Sequence, residues 1–165
     1  MNLDRFTQRS QECLSQAHED AAASNHSELT ALHVFRALLS QRDGLVPSVL
    51  KRAGVDLGRL VEAVDGELAK LPQVEGPGAT QVYMSREVSK VLQAAKREAE
   101  SLKDEYVSVE HILLALLDES AKCGEICQRL GVSRDAVLQA MQQVRGSQRV
   151  TSQTPEAMFE ALEKY

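Results

Sequence analysis

The chain has 165 residues, of which 43% are hydrophobic, so it can bury a core of its own, as one domain or as two small fused halves. A net charge of −5 and an aromatic content of only 4% argue against a nucleic-acid-binding surface, which usually has a basic face and stacking side chains. No apolar run approaches the ~20 residues that span a bilayer. Residues 1–10 lack the apolar core of a signal peptide, so we expect a cytoplasmic protein with no membrane partner.

Four helices are predicted in residues 1–70. The first runs from about Asp4 to Ser24, where apolar side chains recur at helical spacing. The second begins at Thr30, whose hydroxyl can accept a hydrogen bond from a free backbone N–H group at a helix start. A short third helix ends at Gly54, a typical C-terminal glycine, and the fourth begins near Asp56. Residues 71–83 contain two prolines and two glycines and are predicted to form a loop.

Residues 84–146 repeat this pattern. The segment around His111 matches the segment around His33 at a spacing of 78 residues, and residues 130–132 match residues 53–55 at a spacing of 77. Matches in one order at nearly constant spacing indicate an internal duplication. No segment has the alternation and turn signals of a strand. The sequence therefore predicts an all-α domain over residues 1–146, with eight helices in two pseudo-symmetric four-helix repeats.

Residues 147–165 form a polar segment that is predicted to be a linker. Pro155 suits the first position of a short last helix, which would extend to Leu162.

No pattern in the chain predicts a catalytic or metal site. His33 and His111 lie in the first turns of their helices, where the helix dipole disfavours a protonated imidazole, so both are predicted to be neutral, hydrogen-bonded packing residues. The three cysteines, Cys13, Cys123 and Cys127, are interpreted as small buried residues. The chain has no phosphate-binding loop of the Gly-x-x-x-x-Gly-Lys-Ser/Thr type, so no ATP or other cofactor is expected to bind it.

Residues 127–138 resemble the turn and recognition helix of helix-turn-helix regulators, which makes DNA binding the main alternative from another class. Gln139, Gln142 and Gln143 could then read bases. The first repeat makes the same turn and enters its next helix at the acidic Asp56, which favours helix packing as the reason for the turn. An enzyme is the least supported class, since no catalytic constellation is present.

The repeated pattern Thr/Ser-x-x-His-hydrophobic-x-x-Ala-Leu-Leu resembles that of the Clp N-terminal repeat domain. Residues 1–7, 71–76 and 161–165 are similar to the corresponding parts of ClpB-type chaperones. The resemblance implies a substrate-recognition domain that weakly binds unfolded or aggregated polypeptides and delivers them to an ATPase ring. It also implies that ATP and magnesium act in other modules of a homohexameric parent, which works with the DnaK chaperone system, and that this chain alone is a monomer.

The same resemblance implies where substrate would bind. Contacts are expected at Thr7, Asp104 and Glu110, beside a groove at Ala94, Glu98 and His111. Larger apolar residues are typical of the family at the groove positions, where this chain has small, charged or imidazole side chains. Within the family, the alternative function is docking of an adaptor protein, as in protease-linked Clp ATPases.

Overall fold

The computed structural model describes residues 3–41, 44–75, 81–146 and 156. In this part of the chain eight α-helices follow the predicted order, and two very short strands lie among them. The first repeat comprises α1 (Gln8–Ala23), β1 (Glu28–Leu29), α2 (Ala31–Ser40), α3 (Leu45–Arg52) and α4 (Leu57–Leu68). The second comprises β2 (Tyr83–Met84), α5 (Arg86–Ser101), α6 (Val109–Glu119), α7 (Ala121–Arg129) and α8 (Arg134–Arg145). The predicted all-α fold of two four-helix repeats is confirmed.

Side-chain caps determine where the first helix of each repeat begins. Thr7 Oγ1 accepts a hydrogen bond from the backbone N–H of Ser10 at 3.2 Å, and Ser85 Oγ accepts one from Val88 at 3.2 Å. Each cap satisfies a backbone donor that has no partner within its helix. Helix α1 therefore starts at Gln8, later than the predicted start near Asp4.

The turn that follows α3 and α7 depends on glycine in both repeats. Gly54 and Gly131 have backbone φ angles of +86° and +75°, which side chains with a Cβ rarely adopt. Asp56 and Ser133 then cap α4 and α8, as predicted, by accepting hydrogen bonds from backbone N–H groups of the first helical turn.

Two reciprocal backbone pairings join the repeats. Leu29 of β1 lies opposite Met84 of β2 in a parallel pair, and Phe6 forms an isolated parallel bridge with Val107. Each pairing corresponds to the other at the 78-residue spacing of the duplication. The strands were not predicted, because each is only two residues long and its partner lies in the other repeat. The extended segment before one repeat's first helix thereby satisfies backbone groups in the other repeat.

Helices α2 and α6 form the centre of one continuous hydrophobic core. All eight residues from Val109 to Leu116 of α6 are buried, and this helix packs against α5, α7 and α3 as well as against α2. Because the two central helices contact each other, the repeats share a core.

We expect truncation of Phe6 to destabilise the domain strongly. Phe6 is fully buried where the two repeats pair, so Phe6→Ala should lower the free energy of unfolding by about 3–5 kcal/mol. Tyr83 is the matched control, because it is also aromatic and lies in a pairing segment but is 63% exposed. Tyr83→Ala should cost no more than about 0.5 kcal/mol. Urea unfolding measures both values, and similar losses would contradict the pairing of the repeats around Phe6.

Candidate functional site

A histidine accepts a hydrogen bond from the backbone at the start of the central helix in each repeat. The N–H group of Thr30 donates to His33 Nδ1 at 3.0 Å, and that of Ser108 donates to His111 Nδ1 at 2.9 Å. A backbone N–H group can only donate, so Nδ1 must be unprotonated and the ring proton lies on Nε2. Both histidines are therefore hydrogen-bonded packing residues, as predicted.

In the first repeat, the partner of the remaining ring nitrogen is a second histidine. His33 Nε2 lies 2.8 Å from His26 Nδ1, and both side chains are buried. Burial and the neighbouring His26 lower the pKa of His33 to about 4, although Asp20 opposes this shift. His33 is therefore neutral at physiological pH.

In the second repeat, charged residues occupy the corresponding place. His111 Nε2 donates to Asp104 Oδ2 at 2.8 Å, and Arg145 Nη2 donates to Asp104 Oδ1 at 2.7 Å. At the spacings of the duplication, Asp104 corresponds to His26 and Arg145 to Leu68. The charged pair is nearly inaccessible to solvent, since the two side chains are 0% and 8% exposed.

Glu110 adds a second buried carboxyl group to this pair. The Ser108 hydroxyl donates to Glu110 Oε1, and Arg145 Nη1 lies 3.6 Å from the same oxygen. Among the described residues, Glu110 Oε2 has no hydrogen-bond partner. Burial raises the pKa of Glu110 above its usual range, and the Arg145 guanidinium opposes that shift.

A third carboxyl group comes from Glu156, beyond the last helix of the second repeat. Glu156 Oε2 accepts hydrogen bonds from Thr7 Oγ1 at 2.5 Å and from the backbone N–H of Val109 at 3.3 Å. Glu156 is fully buried, and burial together with the nearby Glu110 raises its pKa to about 7. The rest of the predicted last helix lies outside the described residues.

These contacts define a buried acidic cluster at the start of α6. Of the six predicted substrate-binding residues, the structure brings four into it. The remaining two, Ala94 and Glu98, lie on α5. Ala94 is buried in the core, and both carboxylate oxygens of Glu98 accept from Arg134 at 2.7 Å. The cluster consists of Thr7, Asp104, Glu110, His111, Arg145 and Glu156.

A pocket of about 260 Å³ adjoins the acidic cluster. Asp104 belongs to both, and the other charged lining residues are Arg5, Lys96, Glu100 and Glu105. Such walls suit polar or charged segments better than a large apolar side chain. Ala94, Glu98 and His111 do not line this pocket, and none of the three offers an exposed apolar side chain.

Sequence reasoning missed Arg145 and Glu156. A signal for Arg145 was present, because at the 77-residue spacing of the duplication this cation corresponds to an apolar residue, Leu68. A cation at a position that is apolar in the other repeat indicates a buried anion nearby. Nothing in the sequence distinguishes Glu156 from the other acidic residues near it, Glu160 and Glu163.

The other residues that were considered as candidate sites are buried in the core or bonded to neighbours within the domain. Each of the three cysteines is free and buried, as predicted, and burial raises the pKa of Cys123 and Cys127 to about 12. In the described ranges, no group of histidine, cysteine and acidic side chains is arranged to hold a metal, and no helix is long and apolar enough to cross a membrane.

The arginines of α8 form ion pairs within the domain. Arg134 pairs with Glu98 and Asp118, and Arg145 pairs with Asp104. These contacts remove support for α8 as a DNA-reading helix.

The low pKa of His33 predicts acid sensitivity. Because this pKa is about 4 in the folded chain and about 6.5 when unfolded, its stabilising contribution is complete above pH 6.5 and is lost as pH falls toward 4. His33→Gln should flatten this dependence, since glutamine can accept the Thr30 hydrogen bond without titrating. Between pH 7 and 4.5, the wild type should lose about 1–2 kcal/mol more unfolding free energy than the variant. If denaturant titrations at the two pH values show that the wild type and the variant lose the same unfolding free energy, His33 is not the source of the acid sensitivity.

The charged residues of the cluster should be replaceable as a set but not singly. Asp104→Ala removes the carboxylate that accepts a hydrogen bond from the buried Arg145 and should cost about 3–5 kcal/mol of unfolding free energy. The triple variant Asp104→His, Glu110→Leu and Arg145→Leu copies the residues of the first repeat and should stay within about 2 kcal/mol of the wild type. If urea unfolding finds the triple variant less stable than the single one, the two repeats are not interchangeable here.

Comparison with known proteins identifies the family. The model of the "Clp repeat (R) N-terminal domain" matches residues 5–130. The chain is 45% identical to a chaperone protein ClpB of Nitratidesulfovibrio vulgaris and 39% identical to one of Bacillus cereus. Both alignments cover 100% of this chain but only 20% and 19% of the relatives, so the chain spans about one fifth of their length.

Solved structures agree with this assignment. The Hsp104 N-terminal domain from Candida albicans superposes with a TM-score of 0.81 at 29% identity, covering 93% of this chain and 99% of that domain. A ClpV N-domain in complex with a VipB peptide has the same fold, with a TM-score of 0.67 at 21% identity, covering 85% of this chain and 93% of the ClpV chain. The chain belongs to the Clp repeat N-terminal domain family and is the N-terminal domain of a ClpB-type chaperone, distinct from the ATPase module.

Proposed function

We propose that this domain binds exposed segments of unfolded or aggregated polypeptides at the acidic cluster and its adjoining pocket. One observation carries the proposal. The second repeat buries Asp104, Glu110 and Arg145 where the first repeat has His26, Leu32 and Leu68. Since the first repeat builds the same helices without these charges, folding alone does not account for them.

The charge balance of the cluster favours a particular kind of client segment. Arg145 pairs with two of its carboxyl groups, those of Asp104 and Glu110, and Glu110 Oε2 has no hydrogen-bond partner among the described residues. A buried carboxylate is stable only when it is paired or hydrogen-bonded. A polypeptide that brings lysine, arginine or free backbone N–H groups would supply these partners. We therefore expect clients to bind through basic or unpaired backbone segments.

Weak and promiscuous binding suits this role. A disordered client loses conformational entropy when it is captured, which lowers its affinity per contact. Several such domains on one ring compensate through a high effective concentration. In the complete chaperone, we propose a homohexamer in which other modules hold ATP and magnesium and to which the DnaK system contributes, while this domain alone is a monomer and needs no cofactor.

The test is an NMR titration of the ¹⁵N-labelled domain with a permanently unfolded polypeptide. We expect the amide signals of Thr7, Asp104 and Glu110 to shift in a saturable way. The triple variant that copies the first repeat should weaken binding by about tenfold, which corresponds to losing about 1.4 kcal/mol of contacts. Asp65→Asn is the matched control, because it also changes the net charge by +1 but lies half exposed on α4 of the first repeat. It should leave the affinity unchanged.

Two outcomes would contradict client binding at this site. Equal affinity of the wild type and the triple variant would place the client surface elsewhere. An unchanged spectrum with the unfolded polypeptide, together with shifts on adding one folded adaptor, would favour adaptor docking. The ClpV N-domain bound to a VipB peptide is an example of this fold in complex with a specific peptide.

A further inference from the structure

Glu156 occupies the place where a client would have to reach Thr7. Its carboxylate accepts from Thr7 Oγ1 and from the N–H group of Val109, the first residue of α6. With Glu156 in place, Thr7 is 0% exposed and Val109 is 1% exposed. Both donors are therefore satisfied from within the chain, and no client group can bind either of them until Glu156 leaves.

The contact spans the whole domain in sequence. Thr7 precedes the first helix, Val109 begins the sixth, and Glu156 follows the last helix of the second repeat. Helix starts attract carboxylates because their first N–H groups lack partners within the helix and carry the positive end of the helix dipole. Glu156 thus acts as a ligand supplied by the chain itself, bonded to two donors that belong to different repeats.

From this geometry, and on the basis of the client-binding function proposed above, we propose that Glu156 is an internal competitor of the client. When Glu156 is bound, Thr7 and the start of α6 are covered. When it is released, the N–H group of Val109 becomes available to a backbone carbonyl group of the client, while the Thr7 hydroxyl can still donate to Ser10 Oγ at 3.0 Å.

The contact has the marginal strength that such competition requires. Two hydrogen bonds hold the carboxylate, but Glu156 Oε1 has no hydrogen-bond partner among the described residues. Burial and, after it, the neighbouring Glu110 both disfavour a negative charge on Glu156, and together they raise its pKa to about 7. A tightly held group would block the site permanently, whereas one opposed by a like charge can be displaced.

The experiment compares three variants of the full 165-residue chain. Glu156→Ala removes both hydrogen bonds and should shift the amide signals of Thr7 and Val109 in the client-free protein. It should also tighten binding of a permanently unfolded polypeptide by about two- to tenfold, because a larger fraction of the protein becomes competent to bind. Glu156→Gln keeps an acceptor for both donors and removes the like charge, so its affinity for the client should be equal to or weaker than that of the wild type.

Glu62→Ala is the control, since it removes the same charge from an exposed position on α4 of the first repeat. It should change neither the Val109 signal nor the affinity for the client. Unshifted Thr7 and Val109 signals in Glu156→Ala would overturn the inference, and so would equal client affinity of this variant and the wild type. If the wild type and all the variants fail to bind the polypeptide, the proposed function fails and the inference fails with it, whereas equal, measurable affinities overturn the inference alone.

Discussion

The polar interior of this domain depends on one hydrogen bond, made twice, from the backbone at a helix cap to Nδ1 of the histidine in the first turn. Because this bond places the ring proton on Nε2, each histidine then needs an acceptor on its other side. The first repeat supplies a neutral imidazole, His26, and the second supplies the carboxylate of Asp104. A buried carboxylate in turn requires a cation, which is Arg145. The replacement of His26 by Asp104 therefore accounts for Arg145, whereas Glu110 in place of Leu32 is a separate difference between the repeats.

The reciprocal pairing of the repeats explains why that cluster lies where it does. Thr7 belongs to the first repeat, yet its backbone N–H donates to the carbonyl of Val107 in the second at 3.0 Å. The equivalent bond, from Ser85 to the carbonyl of Leu29, is 3.2 Å long. Each repeat thus brings the residue that caps its own first helix beside the central helix of the other. Thr7 lies beside the start of α6, so the site is built from both halves, although Asp104, Glu110 and Arg145 all come from the second.

Periodicity, caps and glycine turns predicted the helices because these signals are local. Thr30, Asp56, Ser108 and Ser133 each mark a helix start in the sequence and in the structure. The two short strands and the contact of Glu156 with Thr7 depend on residues that are distant in the chain, so no local sequence pattern predicts them. Arg145 lies between these cases. Its position follows from helix periodicity, while its buried partner emerges only when the two repeats are compared residue by residue.

The comparison of the repeats also separates what the fold needs from what the domain does. Folding needs an acceptor for the histidine, and His26 meets that need without any charge. Burying Asp104, Glu110 and Arg145 instead involves a desolvation cost that apolar residues at the same positions avoid. Among the described residues, Glu156 adds a further carboxyl group to a cluster in which Asp104 and Glu110 already pair with one guanidinium. The first repeat shows that the fold can be built without these charges. Their concentration beside a pocket is what we expect of a site to which a binding partner contributes the balancing charge.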